Sequence, residues 1–192
     1  MDNTLWNTEY IAYLGLVRNK EKTGLDFLID KITNSIENAV TGDSFQTEVS
    51  ILSNADFKTI SEKKLWLFDW KTEHRNPKKE VFKLTIIHNP KIIQGLISIE
   101  DRNDHVFMHL VESAKFNKGK DKMYLGVPGN LVAFACRRAF QLGYEGNIAF
   151  ISKSKLIEHY EETLGAIHIG GRAMIIHQSA ALKLIHKYFP NG

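Results

Sequence analysis

Three short segments follow one another with almost nothing between them: Val81–His88 (VFKLTIIH), Ile92–Ile99 (IIQGLISI) and His105–Glu112 (HVFMHLVE). Each is rich in β-branched and aromatic residues, and the gaps hold turn residues, Asn89-Pro90 and Asp101 to Asp104. Strands this close in sequence can be joined only by hairpins, so this stretch must form an antiparallel meander. In the third segment Val106, Met108 and Leu110 alternate onto one face, which puts His105 and His109 on the other. The rhythm then changes. Leu131–Leu142 has helical spacing, Asn147–Ile151 is a short buried strand, and Leu156–Leu164 is another helix. Ala166–Ile169 and Ala173–His177 read as a hairpin across Gly170-Gly171, and Ala180–Phe189 closes the chain as a helix capped by Ser179. A meander followed by strand–helix units predicts an α/β fold: a mixed, mostly antiparallel sheet flanked by helices.

Ahead of the meander, Thr47–Leu52 is one more strand, and Asn54 caps a short helix through Phe57 and Ile60. Trp66, Phe68 and Trp70 alternate, which fits a strand edge, an aromatic core or the wall of a substrate pocket. Between Gly24 and Val40 the apolar residues Leu25, Leu28, Ile29, Ile32 and Ile36 recur at helical spacing, with Thr23 as cap and Gly42 past the end. The break Gly42-Asp43-Ser44 then divides an N-terminal helical extension, residues 1–44, from an α/β domain, residues 45–192. The extension is expected outside the main sheet. Its apolar stripe suits it to cap the domain or to mediate self-association into a homodimer.

With 43% apolar and 24% charged residues the chain is too apolar for disorder and long enough for a substantial core. Its longest apolar run, Leu131–Cys136, is far short of the ~20 residues that span a bilayer, so no membrane is expected. The start, MDNTLWNTEY, lacks the basic and apolar regions of a secretory signal, and the single cysteine, Cys136, excludes an internal disulfide or a cysteine-rich zinc site. A cytoplasmic protein is expected. Charge is uneven: residues 1–57 hold four Lys/Arg against nine Asp/Glu, net −5, whereas residues 58–192 hold 21 against 13, net +8. Two differently solvated faces satisfy this, and so does a basic surface that meets a phosphorylated cofactor or nucleic acid.

The segment most suggestive of chemistry is Tyr124-Leu-Gly-Val-Pro-Gly-Asn-Leu131, directly before the strong helix. Pro128 suits a first helical turn, while Gly126 and Gly129 allow a tight approach and leave the free amides uncovered. Such a helix start can hold a pyrophosphate, with Lys115, Lys118, Lys120 and Lys122 near enough in sequence to attend a further phosphate. It is also how an ordinary helix begins. The segment is neither G-x-G-x-x-G nor a P-loop.

Taken in order, the meander, glycine turn, long helix, strand, helix ending Tyr160-Glu-Glu-Thr-Leu-Gly165-Ala and final hairpin resemble the GNAT-type N-acyltransferases. The resemblance spans roughly Phe45 to His177 and lies in order and spacing more than in invariant residues. It implies that His105–Glu112 and Asn147–Ile151 are the family's fourth and fifth strands, splayed apart to admit a thioester. It further implies that Leu110, Val111, Gly126, Val127, Gly129, Asn130 and Leu131 bind acetyl-CoA. Of the family's Arg/Gln-x-x-Gly-x-Gly/Ala turn only Gly129 matches; Gly126 and Leu131 replace the first and last residues. The Tyr-x-x-x-Gly-Phe pattern is present as Tyr160 and Gly165-Ala166, one residue longer and without the Phe, and Lys153 stands in place of the family Asn.

By that resemblance Tyr160 is the general acid that protonates the departing thiolate; as a plain helix residue it would pack with Leu156 and Leu164. Glu112 is the first choice of general base for the acceptor amine, Glu100 the second, and His105 or His109 would also serve. No metal site is expected from the eight histidines, which show no H-E-x-x-H spacing. Cys136, among alanines, is a small core residue. The function implied is transfer of an acetyl group from acetyl-CoA to an unidentified amine by direct attack in a ternary complex. The altered turn favours a different class, a degenerate module that binds acyl-CoA or a protein without turnover. The basic C-terminal region leaves nucleic acid open as a partner, for instance a charged tRNA.

Overall fold

The computed structural model describes residues 36–60 and 65–190. Seven strands form the main sheet: β3 (Thr47–Ile51), β4 (Glu80–Ile86), β5 (Asn89–Asp101), β6 (Val106–Ser113), β8 (Ile148–Ile151), β9 (Ile167–Gly170) and β10 (Ala173–Ile176). Their spatial order is β3-β4-β5-β6-β8-β10-β9. Every pairing is antiparallel except β6 with β8, as expected where a helical crossover replaces a hairpin. The meander expected from the sequence is therefore present, with its first turn moved. The chain reverses at Ile87-His88, where His88 takes φ 69°, and Asn89-Pro90 already belongs to β5. Proline costs no ladder bond at the start of a strand.

Among the described residues five helices flank the sheet: α1 (Phe57–Ile60), α2 (Trp70–Arg75), α3 (Val127–Gln141), α4 (Ile157–Leu164) and α5 (Gln178–Tyr188). Asp69 caps α2 by accepting the Lys71 and Thr72 amides, so Trp70 opens a helix and is no strand residue. The cap of α5 is His177, two residues before the expected Ser179, and Ser53 rather than Asn54 precedes the single 3-10 turn that leads into α1. α1 and α2 lie over β4–β6 through a cluster that joins Leu52, Ile60, Trp66, Trp70, Val81 and Leu96. On the opposite face α3 approaches β5 closely. A Cβ at Gly95 would come within 2.7 Å of Val127 and 2.9 Å of Leu131, so only glycine lets the helix sit there.

A second, three-stranded sheet has the order β2-β1-β7, with β1 at Ile36–Asn38, β2 at Ser44–Phe45 and β7 at Tyr124–Leu125. The helix expected to run to Val40 is thus replaced at its C-terminal end by a strand. Asn38 explains the change. Its side-chain oxygen accepts the Val40 and Thr41 amides, and its own N–H donates to Asp43, closing a tight turn through Gly42 at φ 71°. The rest of the expected helix lies outside the described residues. Residues 36–38 fall before the boundary expected at 44/45 yet pair with Tyr124-Leu125, beside the start of α3. Among the described residues no helix is long and apolar enough to cross a membrane.

Candidate active site

The parallel pair β6–β8 holds register at Val106–Ile148, Phe107–Ala149 and Met108–Phe150, and then stops. β6 continues to Ser113 with no strand on that edge among the described residues, so the sheet opens into a cleft from His109 onward. The opening coincides with a β-bulge. Ile99 pairs with Met108 but Ser98 with Leu110, which makes His109 an extra residue and re-aims the strand where pairing ends.

That bulge places His109 against Glu100, Nε2 to Oε2 at 2.7 Å, with the Phe107 ring edge-on to the imidazole and Arg102 both over Phe107 and 2.9 Å from Glu100. The His109 hydrogen bond, helped by Arg102, holds the Glu100 carboxyl below the ordinary glutamate range. Two of the expected base candidates are therefore one unit, a carboxylate that orients an imidazole. The Glu100 carboxylate engages Nε2, which leaves Nδ1 as the ring nitrogen it does not hold. His105 is not part of this unit; it contacts Asp104 in the turn before β6.

Glu112, the first choice of base, is occupied elsewhere. Its side chain is buried, and Oε1 accepts the Leu67 N–H (2.8 Å) and the Lys118 ammonium (2.6 Å), while Oε2 accepts the Phe68 N–H (3.3 Å) and the Trp70 indole N–H (2.8 Å). Burial alone would raise its pKa, but Lys118, the Leu67 amide and Trp70 outweigh burial and lower it. A carboxylate with four donors and a depressed pKa is a poor proton acceptor. It works instead as a clamp that fastens residues 67–70 to β6 and takes up one of the four lysines expected to attend a phosphate. Beside the clamped segment is a cavity of about 830 Å³, walled by Phe57, Ile60, Trp66, Phe68 and Trp70. This places the aromatic triplet partly in the core and partly in a pocket wall.

Tyr160 lies across the sheet from His109. Its ring meets Phe150 edge-on at 5.4 Å, and Phe150 shares its face with Met108, opposite to Phe107 and His109. Burial raises the Tyr160 pKa and so favours the protonated phenol. Cys136 is buried in α3, its thiol pushed up by desolvation.

The glycine turn opens α3 as expected, with Gly126 at φ 85° as the cap. Asn130 N–H already bonds Gly126 O and Pro128 has no N–H, which leaves the amides of Val127 and Gly129 for an anion. The side chains of Val127, Asn130 and Leu131 are fully buried, so only backbone at these positions can face a ligand, and Asn130 Nδ2 donates to Thr47 Oγ1. Leu110 packs against the α1–α2 cluster, while Val111 follows it along the unpaired edge of β6. Gly129 has a structural task that the sequence does not reveal: a Cβ there would lie 2.6 Å from Cζ of Tyr188, whose ring from α5 covers the first turn of α3.

No family model matches the sequence, and no curated protein matches it. Solved structures do. The spermidine/spermine N-acetyltransferase SpeG from Vibrio cholerae, solved with manganese ions, has a TM-score of 0.51 at 18% identity over 72% of this chain and 96% of its own. AtaTR bound with AcCoA has a TM-score of 0.51 at 14% identity, covering 72% and 97%. A spermidine N-acetyltransferase from Vibrio cholerae in complex with CoA and spermine has a TM-score of 0.50 at 17% identity, covering 71% and 98%. The mixed sheet that opens between β6 and β8, with α3 as the crossover, is the GNAT fold.

Proposed function

We propose that this chain is an N-acetyltransferase that moves an acetyl group from acetyl-CoA to a primary amine in a ternary complex. The observation that carries the reading is the Glu100–His109 pair at the mouth of the β6–β8 cleft. An amine that bonds to a thioester carbonyl must give up a proton, and a base poised where the strands part supplies that need. The thioester lies in the cleft, its carbonyl polarised by backbone amides of β6 beyond Met108, where β8 no longer pairs with it, and its pyrophosphate meets the Val127 and Gly129 amides. The amine enters on the His109 face. Its nitrogen bonds to the carbonyl carbon, its proton passes to His109 Nδ1, and the resulting imidazolium is held by Glu100. As the C–S bond breaks, the Tyr160 hydroxyl gives its proton to the sulfur. The match to acetyltransferase structures, two of them bound to CoA or acetyl-CoA, supports acetyl-CoA as donor.

The test is calorimetry with acetyl-CoA, followed by release of free thiol with a panel of primary amines. His109→Gln is expected to bind acetyl-CoA like wild type and to lose ~10²–10⁴ of its turnover. Failure of the wild type to bind acetyl-CoA would refute the proposal. Binding without turnover of any amine would assign the chain to the non-catalytic class suggested by its altered turn.

A further inference from the structure

The face that carries His109 continues as an apolar shelf to the edge of the sheet. Register fixes its layout. One row runs from Phe107 through Ala149 on β8 and Ile175 on β10 to Ile167 on β9. A second row starts on β8, where Ile151 pairs with Ala173, and Ala173 in turn faces Gly170 together with the bulged residue Ile169. Residues paired in this way share one face of the sheet, so the shelf spans about three strand spacings, ~14 Å. Among the described residues α1 and α2 pack on this face over β4–β6, while α4 reaches β8 from the other face through Tyr160. Ile151, Ile167 and Ile169 are accordingly 55%, 50% and 57% exposed. Three isoleucines half open to water on one sheet face form a patch that folding alone does not explain.

We propose, on the basis of the acetyltransferase reading, that this shelf binds the carrier of the acceptor amine and that the acceptor is an amine borne on an extended apolar group. Continuity decides the occupant. The shelf starts at Phe107, whose ring meets the imidazole that would receive the amine's proton edge-on at 4.8 Å, so a molecule with its nitrogen at His109 has its remainder on the isoleucines. Of the charged groups at this end, His109 and Arg102 are both bonded to Glu100, and none of the residues in the two rows is a carboxylate that could hold a polyamine's further charges. The class is therefore an alkyl or aralkyl monoamine, long enough to cross from β8 to β9.

The probes are n-propylamine and n-octylamine, titrated calorimetrically into the full chain saturated with CoA, with kcat/KM for both measured alongside. A chain lying on an open shelf hides about one side of each methylene, worth roughly twofold apiece, so octylamine should bind ~30-fold more tightly than propylamine. Ile151→Ser and Ile169→Ser, both at exposed positions, should shrink that ratio at least about threefold and leave the affinity for CoA and for propylamine unchanged. Equal binding of the two amines, tighter binding of spermidine than of octylamine, or an unchanged ratio in Ile169→Ser would overturn the proposal. So would sedimentation showing a wild-type dimer that Ile169→Ser dissociates, because the shelf would then be an interface between copies. Because binding is read without turnover, loss of the acetyltransferase reading and loss of the shelf proposal are separate results: the first appears as no acetyl-CoA binding, the second as no chain-length dependence.

Discussion

Glu112→Gln separates a clamp from a base, because the two roles predict opposite pairs of results. Glutamine keeps the shape of the side chain but turns one oxygen into an NH₂ group, and donors face both oxygens. The less costly orientation keeps the carbonyl on Trp70 and Phe68, since the Trp70 indole is buried and cannot turn to water. The Leu67 amide and Lys118 then lose their acceptor. Lys118, with its side chain 34% exposed, recovers water, so the loss is ~2–3 kcal/mol rather than the full value of a buried ion pair. For a chain of this size that lowers Tm by about 5–10 °C. The pH dependence has a definite sign. The folded pKa of Glu112 lies below its unfolded value, so its contribution is complete above the unfolded pKa, ~4.3, and disappears as pH falls through the folded one. Thermal unfolding followed by circular dichroism should show the full gap between wild type and variant at pH 7 and a closing gap below about pH 4. Turnover at saturating amine should survive, with KM raised by a looser 65–70 segment. A variant with wild-type Tm at pH 7 and no turnover would refute the clamp and return the base role to Glu112.

Tyr160→Phe removes only a hydroxyl for which no hydrogen bond is seen among the described residues, so its Tm should match wild type while thiol release slows by ~10²–10⁴; a wild-type rate would reduce Tyr160 to a packing partner of Phe150. Gly129→Ala should cost ~1–3 kcal/mol in urea unfolding by driving a methyl group into the Tyr188 ring, and the same change in a Tyr188→Ala background should cost nearly nothing. Equal penalties in both backgrounds would show that Tyr188 is not what keeps this position a glycine.

The elements legible in the sequence were those whose own residues determine them. The meander, the strong helix before Leu142 and the closing hairpin follow from side-chain period and turn residues. Element ends were less legible because they depend on side chains that reach back to the backbone, as Asn38 does in turning an apparent helix into a hairpin. The site divides in the same way. His109 and Glu100 could be named as candidates, but nothing in the sequence says that a bulge one residue long brings them together. Alternation alone puts Leu110 on the face opposite His109; the bulge places both on the α1–α2 face. Glu112 misled because a carboxylate at a strand end looks the same in sequence whether it is solvated, basic or clamped. Its partners Leu67, Phe68 and Trp70 are more than forty positions away. Gly129 was singled out for a phosphate, while the residue that requires a glycine there, Tyr188, is on the last helix.

In the proposed reaction the opening between β6 and β8 puts the two substrates on opposite faces. α3, packed on Gly95, and Tyr160, packed on Phe150, share one side of the sheet. Glu100, His109 and the isoleucine shelf share the other. The base and the acid of the proposed reaction, separated by the sheet, meet only through the molecule that fills the opening. Pairing along the whole of β6 would close that passage, and a sheet without the bulge would turn His109 away from the point where pairing ends. The one-residue irregularity at His109 therefore matters twice in the proposed reaction: it lies where the β6–β8 ladder ends and a thioester would enter, and it turns the proposed proton acceptor toward that point.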